Sequence, residues 1–255
     1  MTHDDHQISG KVILLTGASS GIGEHLAGVL AARGARLAVA ARRVALLEQL
    51  VGRLSAAGAT VLPVALDLAS PESIREAASR VEAELGPVEI LINNAGVMNE
   101  GKALEIGVDA FDQLFDINVR GTFFMTQAIA KRMIDLGIQG RIVNTASVAG
   151  MVTMPQLTAY GMTKAAVIHM TKSLAVEWAR YGLSVNAVCP GYVETDMNAA
   201  FFGSEVGQKV VKSLPKRRLA NVEDLTQLFL LLISDKAARI VNGAAIAADD
   251  GYSVS

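Results

Sequence analysis

The stretch Tyr160-Gly161-Met162-Thr163-Lys164 carries the most chemistry in this chain. On a helix, residues four apart share a face, so the Tyr160 phenol and the Lys164 ammonium can enter one site. A phenol titrates at about 10 and is a poor base at neutral pH. A positive charge beside it favours the phenolate and brings that value toward the working range. The pair can therefore exchange a proton with a reacting oxygen. Tyr and Lys also fall at this spacing on helices with no such role, so the reading depends on what else the chain brings to the same place.

A second signal lies near the N-terminus. Thr16-Gly17-Ala18-Ser19-Ser20-Gly21-Ile22-Gly23 follows the apolar run Lys11–Thr16 and opens a segment with helical spacing. Glycines let the backbone approach a pyrophosphate, and a helix N-terminus presents free N–H groups to it. A strand before the turn and a helix after it are the context a dinucleotide-binding motif requires. No Lys-Ser or Lys-Thr pair follows, which excludes a P-loop. In such folds an acid at the end of the second strand takes the ribose hydroxyls of NAD, whereas Arg accommodates the 2′-phosphate of NADP. Here that strand ends Ala40-Ala41-Arg42-Arg43. The acid is absent at Ala41 and a guanidinium follows at Arg42, which suits NADP(H). Arg43 suits either the same role or a solvated helix start.

Further residues fall at strand ends. Ser147 follows the strand Ile142–Ala146, and Asn93-Asn94-Ala95-Gly96 closes the fourth strand, both at the edge where ligands sit in open α/β folds. Asn118 lies inside a long helical segment, and Pro190-Gly191 is followed by Thr195. The Gly-x-x-x-Gly-x-Gly spacing, these strand-end residues and Tyr160/Lys164, in this order over residues 8 to 251, resemble the single-domain short-chain dehydrogenase/reductase family. The resemblance implies that Tyr160 exchanges the proton, helped by a cationic nicotinamide ring. It implies that Lys164 lowers the Tyr160 pKa and binds the nicotinamide ribose. Ser147 would hydrogen-bond the substrate oxygen. Asn118 would distort its helix and hold a water linking Lys164 to solvent. Cofactor contacts are expected from Gly17, Ser19, Ser20, Gly21, Ile22 and Gly23 on the turn, from Arg42, and from Asp67 and Leu68 after the third strand, with Asp67 at the adenine. Asn94, Ala95 and Gly96 join them, with Pro190, Gly191, Val193 and Thr195 on the nicotinamide side.

These residues need elements to place them. Strands are expected at Lys11–Thr16, Arg36–Ala41, Thr60–Leu66, Val88–Asn93, Gly140–Ala146, Leu183–Cys189 and Gly243–Ala248. Helices are expected at Glu24–Gly34, Val44–Ala57, Val108–Leu136, Gln156–Tyr181 and Val222–Ile233, with one that Ser70-Pro71-Glu72 opens and Gly86 closes. Apolar strands alternating with helices predict a Rossmann-like, doubly wound, seven-stranded parallel sheet with helices on both faces. No linker interrupts residues 1–255, so one domain is expected, with residues 1–7 as a flexible tail.

Composition narrows the rest. The 255 residues are 51% hydrophobic and 19% charged, with a net charge of −2 and one cysteine. That balance argues against a nucleic-acid binder and against a disordered chain. A lone Cys189 excludes an intrachain disulfide and a cysteine metal cluster, and reads as a packed thiol at a strand end. No metal site is expected. Neither a signal peptide nor a transmembrane run is evident, so a soluble, cytoplasmic protein is expected. His25 and His169 read as structural, His3 and His6 as tail residues, and Lys216-Arg217-Arg218 as a solvated loop. The family resemblance further implies Trp178 as a core or interface residue, and the two long apolar-rich helices with the C-terminal segment as the seams of a homotetramer.

Substrate residues are expected in three loops: Val97 and Met98; Met151, Val152 and Met154; and Tyr192, Met197, Phe201 and Phe202, the last two on a mobile lid. This Met-rich lining suits a hydrophobic ketone, reduced to a secondary alcohol with NADPH. A 3-oxoacyl thioester (on carrier protein or CoA) is the alternative and would need basic residues such as Arg120 and Lys172 near the cleft. A non-catalytic dinucleotide sensor is disfavoured by the intact Ser147, Tyr160 and Lys164, and a polyol substrate by the few polar groups in the loops.

Overall fold

The computed structural model describes residues 8–195 and 198–255. Seven apolar runs form strands: β1 (Val12–Thr16), β2 (Arg36–Ala41), β3 (Val61–Ala65), β4 (Ile90–Asn93), β5 (Arg141–Thr145), β6 (Ser184–Pro190) and β7 (Ala245–Ala248). They pair in parallel in the order β3-β2-β1-β4-β5-β6-β7. The order reverses between β1 and β4, which opens a crevice at their C-terminal ends. This is the doubly wound parallel sheet expected from the alternation of elements.

The helices are α1 (Gly21–Ala31), α2 (Val44–Ala56), α3 (Pro71–Leu85), α4 (Val108–Phe115), α5 (Thr122–Asp135), α6 (Thr158–Trp178), α7 (Ala199–Gly203), α8 (Glu205–Ser213), α9 (Thr226–Ile233) and α10 (Asp235–Ala238). Successive strand residues face opposite ways, so each strand supplies both layers. Ile13, Leu15, Leu37 and Val39 pack with Leu26 and Leu30 of α1, Leu47 of α2 and Phe229 of α9. Val12, Leu14, Ala38 and Ala40 pack with Ile74 and Val81 of α3, Met125 and Ile129 of α5, and Leu174 and Trp178 of α6. Trp178 is therefore a core residue. Local signals set the helix ends: the Ser70 hydroxyl accepts from Ser73 N–H at 3.2 Å, Pro71 opens α3, and Gly86 leaves it at a φ of 90°.

The structure differs from the sequence expectation in three respects. The segment Val108–Leu136 is not one regular helix, because a π-helical turn, Asp116–Gly121, separates α4 from α5. A close tertiary contact lies at its C-terminal end. A β-carbon on Gly121 would lie 2.3 Å from the Leu68 carbonyl oxygen, so the helix runs hard against the loop after β3. Second, α6 begins at Thr158, since Gln156 has a φ of 64° that no helix admits. Third, α7, α8 and α10 have no counterpart in the sequence expectation. In α8 the signal was present: Ser204 caps it by accepting from Gly207 N–H at 3.1 Å, and Glu205 sits in its first turn. The expected lid is thus partly helical, and Phe202 is buried in it.

The sheet is also joined to α5 and α6 by a buried polar chain. Asn93 Nδ2 donates to Thr126 Oγ1 (2.7 Å) and to Asn144 Oδ1 (2.9 Å), and Asn144 Nδ2 donates to Thr171 Oγ1 (2.9 Å). All four side chains are buried. Breaking such a chain leaves a desolvated donor without a partner, which costs about 1–3 kcal/mol. Thr171→Val should therefore destabilise the protein by roughly that amount while preserving volume. Urea unfolding checks it, and a midpoint equal to that of the parent would contradict the role given to this chain.

Candidate active site

The first shared point of the site is Thr16, at the end of β1. Its hydroxyl accepts the N–H groups of Asn94 (3.0 Å) and Ala95 (3.1 Å), so the ends of β1 and β4 are held side by side. Asn94 Nδ2 donates to the Gly17 carbonyl at 3.2 Å. The turn that follows has no room for side chains: a β-carbon on Gly17 would lie 2.7 Å from the Ala95 backbone, and one on Gly23 would lie 2.2 Å from Gly17 O. Ser20, the N-cap of α1, is extended and makes no side-chain cap, so the first N–H groups of α1 are not taken by it. That donor set fits a pyrophosphate.

Around the turn, the expected cofactor residues divide. Ser19 and Ser20 hydroxyls accept from the Arg43 guanidinium at 2.9 and 2.6 Å. Arg42 is exposed, and its guanidinium makes no hydrogen bond among the described residues. The arginine resting on the turn is therefore Arg43, because only its side chain projects back over the serines. Ile22 packs against the core and Leu68 is buried in it, so their side chains face away from a ligand. Asp67 Oδ1 accepts from Ala69 N–H at 3.0 Å. Gly191 N–H donates to Ala248 O at 3.0 Å, while Val193 is buried and bridges to Ala220. Thr195 reaches the phosphate turn, with its methyl group 3.2 Å from where a β-carbon on Gly21 would stand.

Ser147, Tyr160, Lys164 and Asn118 come together on the same edge. Ser147 ends the loop from β5, and its hydroxyl accepts from Ala149 N–H at 3.1 Å. Lys164 is buried; its Nζ donates to Thr145 O at 2.9 Å and lies 5.6 Å from the Tyr160 ring centre. Asn118, in the π turn, bonds both backbone groups of Val97 at 2.8 Å. Burial pushes the Lys164 ammonium down to about 8, against a smaller opposing effect of Cys189. Burial likewise raises Tyr160 above the ordinary phenol value, and a hydrogen bond with Ser147 opposes it. The expected depression of Tyr160 is thus not supplied by the chain itself, since desolvation outweighs the Ser147 hydrogen bond.

Ser147 and α6 can meet because two glycines lie between them. A β-carbon on Gly150 would be 2.6 Å from the backbone of Lys164 and Ala165, and one on Gly161 would be 2.7 Å from Ala149 O. Sequence reasoning passed over both, although Gly161 sits inside the Tyr160–Lys164 stretch.

The expected substrate residues are less concentrated. Met98, Met151 and Phe201 are exposed, Met154 and Tyr192 are half-buried, and Met197 lies outside the described residues. Phe202 is buried, packing edge-on against Tyr192 at 5.8 Å, and Tyr192 packs against Tyr252 at 5.4 Å. Phe202 thus supports the loop from within. A cavity of about 250 Å³ lies elsewhere, between α4 and α6, lined by residues that include Ile106, Phe111 and Met162. His25 bonds Thr226 at 2.7 Å, and Lys216 and Arg218 pair with Asp250. These residues hold loops together. Cys189 is a buried free thiol. Among the described residues, no cluster of His, Cys, Asp or Glu could hold a metal, and no helix is long and apolar enough to cross a membrane.

Gly150→Ala should push α6 away from Ser147. Displacements near 1 Å cost about 10²-fold in rate, so a loss of that order in kcat is expected with the fold retained. Steady-state kinetics beside a thermal melt decides it, and unchanged kcat would mean that the loop yields instead.

Comparison with known proteins agrees with this geometry. Residues 11–205 match the family model described as short chain dehydrogenase. The chain is 37% identical over 250 residues to D-threitol dehydrogenase of Mycolicibacterium smegmatis, covering 98% of this chain and 95% of that protein. It is 35% identical over 257 residues to gluconate 5-dehydrogenase of Gluconobacter oxydans, covering 100% of both. Among solved structures, gluconate 5-dehydrogenase of Burkholderia cenocepacia in complex with NADP and tartrate superposes with a TM-score of 0.93 at 31% identity, covering 99% of this chain and 98% of that one. A glycine turn at the β1/β4 crevice, a Ser–Tyr–Lys edge and these matches have one consequence: the chain belongs to the short-chain dehydrogenase/reductase family, as an oxidoreductase acting on CH–OH groups.

Proposed function

We propose that this protein is an NADP(H)-dependent oxidoreductase that interconverts a ketone and a secondary alcohol, with Tyr160 as its proton-transfer residue. The observation that carries this reading is the buried Lys164 ammonium beside Tyr160 and Ser147, on the edge that also bears the dinucleotide turn. The nicotinamide, when bound, supplies or accepts the hydride. Tyr160 Oη gives its proton to the carbonyl oxygen in reduction and takes one from the alcohol in oxidation. Ser147 Oγ hydrogen-bonds the same oxygen and stabilises charge developing on it. Lys164 binds the nicotinamide ribose, and Asn118 holds a water that connects Lys164 with solvent. The Met-rich loops favour a hydrophobic ketone. A polyol or sugar acid is the second reading, favoured by the names of the threitol and gluconate dehydrogenases. Thioester reduction loses support, because Arg120 is engaged by Asp116 at 3.1 Å and by Ala69 O at 3.0 Å. Exposed Val108, Phe124 and Met162 on α4, α5 and α6 support association through these helices into a tetramer. Measuring NADPH oxidation with hydrophobic ketones beside NADP reduction with polyols separates the two substrate readings.

A raised Tyr160 keeps the phenol protonated at neutral pH, which is the form a proton donor needs. Lys164 is cationic below about 8 and loses its charge above that value. Reduction should accordingly be level below that pH and fall above it, while alcohol oxidation climbs toward alkaline pH. Tyr160→Phe should lower turnover by roughly 10²–10⁴-fold while NADPH binding stays within a few-fold. Near-parental turnover in that variant, or a reduction rate that rises with pH, would refute the assignment.

Cofactor choice rests on the missing acid at Ala41 and on the two arginines. A charge-assisted contact with the 2′-phosphate is worth about 1.5–3 kcal/mol, so NADPH should be preferred by at least roughly tenfold in kcat/KM. Ala41→Asp with Arg42→Ala should shift the preference toward NADH. Because Arg43 already rests on Ser19 and Ser20, Arg43→Ala tested alone tells which guanidinium carries the effect. Equal efficiency with both cofactors in the parent would overturn the preference.

A further inference from the structure

Thr163 lies inside α6, between Tyr160 and Lys164, and is wholly buried. Its hydroxyl donates to the Tyr160 carbonyl at 2.7 Å and accepts from Asn118 Nδ2 at 3.1 Å. The direction of each bond is forced. Asn118 Oδ1 accepts from Val97 N–H and Asn118 Nδ2 donates to Val97 O, both at 2.8 Å, so the carboxamide cannot be turned over. Its second Nδ2 hydrogen therefore points at Thr163, whose own proton must go to the carbonyl one turn back. Asn118 also stands close to Lys164: a β-carbon on Gly96 would lie 3.2 Å from Asn118 Oδ1 and 3.4 Å from Lys164 Nζ.

We infer that Thr163 is a positioning residue: its hydroxyl clamps the Asn118 amide of the π turn to α6 and thereby sets Tyr160 and Lys164 against the loop after β4. This one oxygen joins α6 to the π turn, and the same Asn118 amide holds Val97 of the loop after β4, which makes the hydroxyl more than a satisfied core polar group. A valine of the same shape would leave one Asn118 N–H buried without an acceptor and free the π turn to shift relative to α6. The hydroxyl's partners are the Asn118 amide and the Tyr160 carbonyl and not the dinucleotide turn, so its loss should appear in the rate of the chemical step and not in ligand binding.

This inference rests on Tyr160 and Lys164 carrying the proton transfer. Thr163→Val, Thr163→Ser and Thr163→Ala are assayed in the full-length enzyme beside Tyr160→Phe, with a thermal melt of each. Thr163→Val should lower kcat at least tenfold while KM for the carbonyl substrate and Kd for NADPH stay within threefold. Thr163→Ser, which keeps the hydroxyl, should restore kcat to within threefold of the parent. In an Asn118→Ala background, Thr163→Val should cost less than a further twofold, because the partner it acts through is gone. If the valine variant does not fold, the alanine variant, which cannot clash, takes its place with the same expectations. The inference is overturned if the variant lacking the hydroxyl keeps kcat within twofold, if serine is as impaired as valine, or if the full loss persists without Asn118. Turnover retained by Tyr160→Phe would instead overturn the proton-transfer assignment itself, so the two failures are distinguishable.

Discussion

All seven strands run in one direction, so all their C-terminal ends open on one edge of the sheet. A parallel sheet requires a crossover after every strand, and each crossover begins at that edge. Gly17, Arg42, Asp67, Asn94, Ser147 and Gly191 are far apart in the chain, yet each follows a strand within two residues. The geometry of the site is in this sense a by-product of strand direction. Where the order reverses, between β1 and β4, the crossovers depart to opposite faces and leave the crevice in which a dinucleotide fits.

Strand direction gathers the residues, but hydrogen bonds within a dry interior give them their spacing. Thr16 ties β1 to β4, Asn118 ties the π turn to Val97, and Asn93, Asn144 and Thr171 tie the sheet to the helices behind it. Each buried group that is matched adds only about 0.5–1.5 kcal/mol, whereas one left unmatched costs more. These chains therefore act mainly against wrong arrangements: a shift of α6 or of the π turn would strand a donor away from water. The glycines at positions 150 and 161 serve the same end by steric means, removing the two β-carbons that would hold Ser147 away from α6.

The electrostatics follow from that dryness. Burial weakens the hold of Lys164 on its proton and strengthens that of Tyr160 on its own, so the two groups shift in opposite directions, each toward its neutral form. A carbonyl oxygen of the chain, Thr145 O, steadies the ammonium without neutralising it. No acidic side chain is among the causes of either shift, so desolvation sets both directions.

The sequence by itself determined the order and type of the elements that build the sheet, because apolar strand runs and helical spacing are local patterns set by burial on two faces. It also determined the phosphate turn, whose glycines are required by backbone approach, and the grouping of Ser147, Tyr160, Lys164 and Asn118, which came through motif resemblance. The distortion at Asn118 was legible in the same way, but not its extent as a π turn over Asp116–Gly121, whose last residue packs against the loop after β3. Tertiary structure alone decided that Arg43 and not Arg42 rests on Ser19 and Ser20, since adjacent residues differ only in side-chain direction. It alone decided that Phe202 faces inward, that Tyr160 titrates high, and that Thr163 stands between Asn118 and the Tyr160 carbonyl. Each of these depends on contacts between residues distant in the chain, and a local pattern carries no record of them.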